Sequence, residues 1–272
     1  MPSYEADRPS LLGLTRLTTR PTFPPGGIEL YRRIANLIEL GPDKEFLVAP
    51  CGLGVTARYL AESSGASGAG VDPDPELAER ATQLTKQAGL SERLHFEPAA
   101  LDDLPYQDAV FDVVVGELPL SSAPDPAAAI RELARVTRPM GTVVLIQLVW
   151  TGHVDPGRRE MIVDHLGTRP YLLVEWKQML RDAGIVDLYV EDWSDSASVL
   201  RQALVLRGLA DLFPLRERLA ILYRGVRRWG WRGVWEVITR DRVVQRLVTR
   251  DRILGMSLIT GKKWQERPGP EP

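Results

Sequence analysis

The segment FLVAPCGLGVTARYL, residues 46–60, joins a short apolar run to a pair of glycines and then to a helical pattern. Glycine allows the backbone to turn tightly and leaves room for a ligand close to the main chain. The first turn of the following helix offers free N–H groups to an anionic group. The segment therefore predicts a strand, a cofactor-binding loop that turns at Gly52 and Gly54, and a helix.

Short apolar runs alternate with helical patterns on both sides of this loop. Such alternation is typical of parallel strands with helices on both faces of the sheet. We therefore predict an α/β fold: a doubly wound, Rossmann-like, seven-stranded sheet, with a helical insertion between the last two strands. The apolar runs place the strands at 45–49, 68–72, 93–97, 111–116, 141–150, 185–192 and 253–263.

The acid at the end of the second strand is the main polar feature of the predicted cleft. In a doubly wound sheet, ligands bind outside the carboxyl ends of the strands. Asp72 stands there, about 20 residues after Gly52, where a carboxylate can accept hydrogen bonds from both ribose hydroxyls of an adenosine cofactor. Asp74, followed by Pro75, is the predicted N-cap of the next helix, so Asp72 is free for this role.

The glycine loop alone leaves the cofactor open. GLGVTA, residues 52–57, also satisfies the G-x-G-x-x-A pattern of nicotinamide- and flavin-binding loops. A glycine turn that binds no ligand is a further alternative. Cys51 is the single cysteine of the chain, and we interpret it as a small apolar side chain beside the loop.

Residues 101–147 carry four further motifs in a fixed order. Leu104-Pro105-Tyr106 precedes Phe111-Asp112 at a strand start, and the helical motif Glu132 to Val136 precedes Arg138-Pro139-Met140-Gly141. Together with the glycine loop, this set resembles the class I S-adenosylmethionine-dependent methyltransferases, in particular the methyltransferase type 11-like group. The resemblance covers residues 28–193 and the final strand, and it argues against a nicotinamide cofactor.

The resemblance implies that the chain binds S-adenosyl-L-methionine. The loop would hold the methionine part, Asp72 the ribose, and the segment near Leu101 the adenine. The residues implied in cofactor binding are Pro50, Cys51, Gly52, Gly54, Asp72, Pro73, Ala100, Leu101, Gly116 and Glu117.

The first motif is degenerate relative to the family pattern. Val48 stands where the family usually has Asp or Glu, and Pro50 where it has Gly or Ala. Ala100 stands where an acid often accepts a hydrogen bond from the adenine amine. Each lost hydrogen bond would weaken cofactor binding by about 0.5–1.5 kcal/mol, unless Glu117 or main-chain carbonyls compensate.

The resemblance implies catalysis mainly by positioning, because the sulfonium leaving group is already activated. A base is needed only where the acceptor must lose a proton. The candidate catalytic residues are His153 after the fifth strand, Glu117 after the fourth and Tyr31 on the first helix. GELPL at 116–120 argues against enzymes that methylate the amino groups of nucleic acids or glutamine. No histidine–carboxylate cluster has metal-ligand spacing, so we predict no metal site.

A segment rich in arginine and tryptophan lies near the C-terminus. Residues 214–252 hold eleven Arg and four acids, a net charge of +7, and Leu219, Leu222, Tyr223 and Val226 form an apolar helical stripe. Three interpretations stay open: a lid that binds an anionic acceptor, a contact with an anionic membrane surface, and a helical cap or homodimer contact.

The whole chain divides into five predicted segments. They are an irregular N-terminal arm (1–27), the methyltransferase core (28–193), the Arg/Trp-rich helical insertion (194–252), the final core strand (253–264) and a disordered tail (265–272). The net charge of −2 gives no field that would attract nucleic acid, and no signal peptide or membrane-spanning run is evident. We therefore expect a cytoplasmic protein.

The predicted function is S-adenosylmethionine-dependent methylation of a small or amphipathic acceptor, anionic or lipid-like in character. The alternative is a non-catalytic relative of the same fold that acts as a binding or scaffold partner, which Val48, Pro50 and Ala100 favour. An NAD(P)-dependent oxidoreductase is the third hypothesis. The sequence does not identify the acceptor or the methylated atom.

Overall fold

The computed structural model describes residues 9–21, 26–194, 214–250 and 252–264. Within these ranges one mixed sheet contains eight strands, in the order β3-β2-β1-β4-β5-β8-β7, with β6 beside β5. All neighbours pair in parallel except β8, which is antiparallel to β5 and β7. The strands are β1 Glu45–Ala49, β2 Ser67–Asp72, β3 Leu94–Pro98, β4 Phe111–Gly116, β5 Thr137–Trp150, β6 Tyr171–Leu172, β7 Ile185–Asp192 and β8 Leu254–Lys263.

Helices cover both faces of this sheet. They are α1 Leu11–Arg16, α2 Gly27–Leu37, α3 Val55–Ser64, α4 Pro75–Gln87, α5 Pro126–Val136, α6 Pro156–Leu166, α7 Leu173–Asp182 and α8 Leu215–Arg250. A kink at Gly230 (φ 72°) divides α8 into two parts. No helix in the described ranges is both long enough and apolar enough to cross a membrane.

Successive residues of β1 point into two different hydrophobic clusters. Leu47 and Ala49 pack in one cluster with Leu133 of α5. Phe46 and Val48 pack in the other, with Leu60 of α3. Because neighbouring strand residues face opposite sides of a sheet, the two clusters are the two layers of the core. The doubly wound α/β fold predicted from the sequence is confirmed.

Three helices begin at an Asp-Pro pair. Asp74, Asp125 and Asp155 each accept a hydrogen bond from a backbone N–H in the first turn of the helix that follows. Proline at the first helical position lacks an N–H and needs no partner there. The pair therefore fixes where a helix starts beside the carboxyl edge of the sheet, and Asp74 has the capping role predicted for it.

The prediction of an irregular arm over residues 1–27 was wrong for residues 11–16, which form α1. Ser10 caps this helix by accepting a hydrogen bond from Gly13 N at 3.0 Å. Leu14 is buried against Ile221 and Val237 of α8. The helix thus depends on contacts with a segment 200 residues away in the chain, which the local pattern cannot reveal. Residues 1–8 and 22–25 lie outside the described residues.

Other predicted boundaries differ by a few residues. β5 begins at Thr137 rather than at 141. The short strand β6, Tyr171–Leu172, was not predicted from the sequence. In the chain α8 lies between β7 and β8, while the insertion's residues 195–213 and the predicted tail, 265–272, lie outside the described residues.

The Glu132–Arg135 pair fastens α5 to the loop before β4. Glu132 Oε2 accepts a hydrogen bond from Leu104 N at 2.9 Å. Arg135 donates to the carbonyls of Leu104 and Tyr106 and to Asp108 Oδ1. The hydrogen bonds from Arg135 lower the pKa of Glu132 below its usual value. Because a guanidinium offers five fixed donors, one side chain satisfies several acceptors of the loop.

We predict that Arg135→Lys lowers the free energy of unfolding by about 1 kcal/mol, since lysine keeps the charge but cannot span these acceptors. Urea denaturation monitored by circular dichroism would measure the change. Arg131→Lys on the same helix is the control, because the Arg131 side chain is 60% exposed and, among the residues with described side chains, forms an ion pair with Asp125 alone. A change in the control as large as that of Arg135→Lys would contradict the assignment.

Candidate cofactor-binding site

The two glycines of the loop after β1 have different surroundings. Both have positive φ angles, 52° at Gly52 and 69° at Gly54. A Cβ atom at Gly54 would lie 2.9 Å from the Phe96 ring, whereas a Cβ atom at Gly52 would meet nothing within 4 Å. Gly54 is therefore required for packing against β3. Gly52 leaves an open surface on which a ligand can approach the main chain.

Asp72 links this loop to the end of β2. The residue is fully buried. Its Oδ2 accepts from Gly52 N at 2.9 Å and its Oδ1 accepts from Asp74 N at 3.0 Å. Burial raises the pKa of Asp72 above its usual value, while Arg16, 3.8 Å from Oδ1, and the two N–H donors act in the opposite direction. Each oxygen still has acceptor capacity for a ribose hydroxyl.

Glu117 follows β4 on the other side of the loop. Its backbone N–H donates to Ala49 O at 3.2 Å, which places it directly beside the end of β1. Tyr31 Oη donates to Oε1 at 3.1 Å, and Thr56 Oγ1 donates to the same oxygen. Gln147 Nε2 holds the Glu117 carbonyl at 2.9 Å. Burial raises the pKa of Glu117 to about 7, although both hydroxyl hydrogen bonds oppose this shift.

The Tyr31 hydroxyl is a donor in this arrangement. Burial, with the nearby Glu117, raises the pKa of Tyr31 well above its usual value. The group therefore stays protonated at neutral pH. His153, the other candidate base, is exposed two residues before the cap of α6, and within the described residues it has no hydrogen bond to Glu117 or Asp72. Its catalytic role stays a prediction.

The other residues implied in cofactor binding lie along the same edge. Pro50, Cys51, Leu101 and Gly116 are buried, Pro73 is half-buried and Ala100 is exposed. Burial raises the pKa of the Cys51 thiol, which fits the interpretation of Cys51 as an apolar side chain. A Cβ atom at Gly116 would lie 2.4 Å from Leu145, so this glycine is required for the packing of β4 against β5.

Two residues of the site were missed by the sequence analysis. Thr56 lies in the first turn of α3 and contacts Glu117, 61 residues further along the chain. Its only sequence signal is a hydroxyl just after a glycine loop. Arg16 reaches Asp72 from α1. No pattern near either residue indicates this ion pair, because it depends on where α1 packs.

Side chains of helices α4 and α8 hold residues 17–19, which follow α1, in place by hydrogen bonds. Arg80 of α4 donates to Thr18 O at 2.7 Å, and Arg224 of α8 donates to Leu17 O at 2.6 Å. Glu217 of α8 accepts from Thr18 and Thr19. A cavity of about 190 Å³ lies between these three elements, and its lining includes Arg16, Asp74, Arg80, Arg224 and Arg228.

Comparison with known proteins places this site in a family. Residues 47–145 match the methyltransferase domain family. The sarcosine/dimethylglycine N-methyltransferase of Halorhodospira halochloris is 31% identical over 57% of this chain and 56% of its own length. The chloroplastic tocopherol O-methyltransferase of Arabidopsis thaliana is 28% identical over 68% of this chain and 55% of its own length. The chain thus spans about half the length of these relatives.

The same fold occurs in solved structures of low sequence identity. The crystal structure of the [4+2]-cyclase SpnF superposes with a TM-score of 0.70, covering 88% of this chain and 82% of its own, at 23% identity. This likeness concerns the fold alone. The resemblance found in the sequence is confirmed by the family match, whose residues include the glycine loop, Asp72 and Glu117. Residues 47–145 of this chain thus match a methyltransferase domain.

Proposed function

We propose that this protein transfers the methyl group of S-adenosylmethionine to a small amphipathic acceptor. The observation that carries the proposal is the hydrogen bond from Gly52 N to the buried Asp72, beside the open space at the Cβ position of Gly52. The methyltransferase domain match supports the reaction. The two relatives above are named for small acceptors, sarcosine/dimethylglycine and tocopherol, which supports a small acceptor here.

The residues at the carboxyl edge fit this cofactor. Asp72 offers acceptor capacity for the ribose hydroxyls, and the surface at Gly52 is open to a ligand. When bound, the cofactor supplies a methyl group on a sulfonium, a leaving group that needs no protonation. The task left to the protein is to hold the acceptor in line and to exclude water. A base is needed only where the acceptor must lose a proton, and the identity of that base stays a prediction.

The first test is calorimetric titration with S-adenosylhomocysteine. We expect Asp72→Asn to weaken binding by about ten- to a hundredfold, because it removes the charge that accepts from the ribose hydroxyls. Asp74→Asn is the matched control, since asparagine also serves as an N-cap, and it should leave the affinity within about threefold. Equal affinities of the wild type and Asp72→Asn would contradict the placement of the ribose.

The same titration separates the enzyme from the non-catalytic alternative. Binding of S-adenosylmethionine and S-adenosylhomocysteine, without binding of NAD, supports the enzyme. A bound ligand at one hundred times its dissociation constant adds about 2.7 kcal/mol to the free energy of unfolding, so a melting shift gives an independent readout. No binding up to millimolar concentration would favour a binding or scaffold partner of the same fold.

The exposed face of α8 supports an acceptor that is reached at a membrane surface. Every fourth residue from 215 to 235 is exposed: Leu215, Leu219, Tyr223 and Arg227 lie before the kink at Gly230, and Trp231 and Trp235 lie after it. We call these six residues the exposed row. The rings of Trp231 and Trp235 stack with centroids 6.0 Å apart. The opposite face of the helix is covered, because Ile221 and Val237 pack against α1.

We propose that the exposed row docks onto an anionic lipid surface. Apolar and aromatic side chains in one row can enter the headgroup region while a basic helix lies in the plane of the membrane. The net charge of +7 over residues 214–252 complements anionic headgroups. A lid over the acceptor would instead direct these side chains inward, and the large exposure of Tyr223 (68%) and Trp231 (64%) does not favour this.

The membrane proposal predicts cosedimentation with vesicles that contain phosphatidylglycerol, and little with phosphatidylcholine alone. Replacing Trp231 and Trp235 together by serine should reduce the bound fraction about tenfold, because two large apolar side chains no longer enter the lipid. Trp264→Ser is the control, since Trp264 is also exposed (57%) but lies outside the row, at the end of β8. A concentration-dependent dimer that the double variant abolishes, without vesicle binding, would overturn the proposal.

A further inference from the structure

Glu117 presents a carboxyl group for which the described part of the chain supplies no cation. Its Oε1 receives both available hydroxyl donors, Tyr31 Oη and Thr56 Oγ1. Among the described residues no hydrogen-bond donor reaches Oε2, and no Lys, Arg or His forms an ion pair with this group. The residue is only 5% exposed, so solvent compensates little of the charge.

Glu117 lies beside the glycine loop, to which the family resemblance assigns the methionine part of the cofactor. Its backbone N–H donates to Ala49 O, so its Cα lies beside the start of the glycine loop. Thr56, which holds Oε1, belongs to the first turn of the helix that follows this loop. The carboxyl group therefore lies between the end of β1, the end of β4 and the first turn of α3.

Within residues 9–21, 26–194, 214–250 and 252–264, no other acid contacts Tyr31 or Thr56 at this point of the edge. The end of β1 and the loop carry only Val48, Ala49, Pro50, Cys51 and Gly52. Asp72 already has Arg16 beside one oxygen and an N–H on each. A ligand that brings an ammonium group into this cleft therefore finds one carboxyl group with an unused oxygen.

We propose that Glu117 binds the α-ammonium group of S-adenosylmethionine through Oε2, while Tyr31 and Thr56 hold Oε1. This inference rests on the cofactor binding proposed above. It names Glu117 as the residue that recognises the amino-acid part of the cofactor. It assigns Tyr31 and Thr56 as positioning residues, which orient the carboxylate without touching the reacting atoms. It also gives the site an anion at the methionine end, although the end of β1 lacks one.

The charge state of Glu117 links binding to pH. Burial raises its pKa to about 7 in the unliganded protein, so below that pH the carboxyl is mostly neutral. An ammonium group favours the ionised form, and binding below about pH 7 must therefore release a proton. The other titratable groups that face Glu117 are Tyr31 of α2, Cys51 of the loop and Asp72 of β2. Burial raises the pKa of Tyr31 and Cys51, so both stay neutral in this range.

The test compares two ligands in calorimetric titrations: S-adenosylhomocysteine and its analogue in which hydrogen replaces the α-amino group. At about pH 8, Glu117→Gln should weaken the binding of S-adenosylhomocysteine about 30-fold. The binding of the analogue should weaken less than about threefold, since only S-adenosylhomocysteine loses a charged hydrogen bond. Equal losses for the two ligands would overturn the proposal, because they would show that Glu117 merely shapes the site. Unchanged affinities together with slower methyl transfer would overturn it in favour of a base.

Proton release gives a measurement that needs no variant. Because burial raises the pKa of Glu117 to about 7, the wild type should release more than about half a proton per S-adenosylhomocysteine at about pH 6, measured in two buffers of different ionisation enthalpy. Its affinity should rise about tenfold from about pH 6 to about pH 8. Tyr31→Phe should shift this rise to higher pH, because it removes one donor to the carboxylate. A pH-independent affinity of the wild type would overturn the proposal.

The failure of this inference is distinguishable from the failure of the proposed function. If neither ligand binds the wild type up to millimolar concentration, the cofactor assignment itself is wrong, and Glu117 has no role in it. If both ligands bind with equal affinity, the cofactor assignment holds and the ammonium contact is wrong. Thermal melting of Glu117→Gln checks its folding, and the wild-type proton count decides the question where this variant does not fold.

Discussion

The hydrogen bond from Gly52 N to Asp72 Oδ2 joins the glycine loop to the neighbouring strand, and the rest of the site is arranged around it. A buried carboxylate is costly unless donors surround it. Asp72 accepts hydrogen bonds from Gly52 N and Asp74 N, and Arg16 forms an ion pair with it at 3.8 Å. The requirement to satisfy one buried acid thus fixes the loop, the start of α4 and the position of α1 together.

The sequence predicted those parts of the site that depend on short-range patterns. Asp72 was found because it ends an apolar run at the required distance from Gly52, and Asp74 because a cap followed by proline starts a helix. Tyr31 and Glu117 were both named, but their contact was not, since 86 residues separate them. Arg16 was placed in an irregular arm, because the packing of α1 on α8 decides its position. Long-range packing has no local signature.

The same limit applies to α8. The helical stripe of Leu219, Leu222, Tyr223 and Val226 indicates which residues share a face, but a stripe does not indicate what covers that face. In the structure Leu219 and Tyr223 are exposed, whereas Leu222 and Val226 are half-buried. Helices α1 and α6 determine which residues of α8 are buried, because they pack against the side of α8 that carries Ile221, Val237 and Val244. Among the described side chains of α8, the exposed row defined above then remains for an external surface.

The two buried acids of the carboxyl edge are balanced in different ways. The chain itself brings Arg16 to Asp72, and Arg16 belongs to a segment that α4 and α8 hold in place. From the described part of the chain, the Glu117 carboxyl group receives hydrogen bonds from the neutral donors Tyr31 and Thr56 and from no cation. Neutral donors compensate burial only in part, and the pKa of Glu117 therefore lies near 7. A cationic ligand would stabilise the ionised form of such a buried carboxyl group. The incomplete neutralisation of Glu117 therefore favours a ligand that carries its own positive charge.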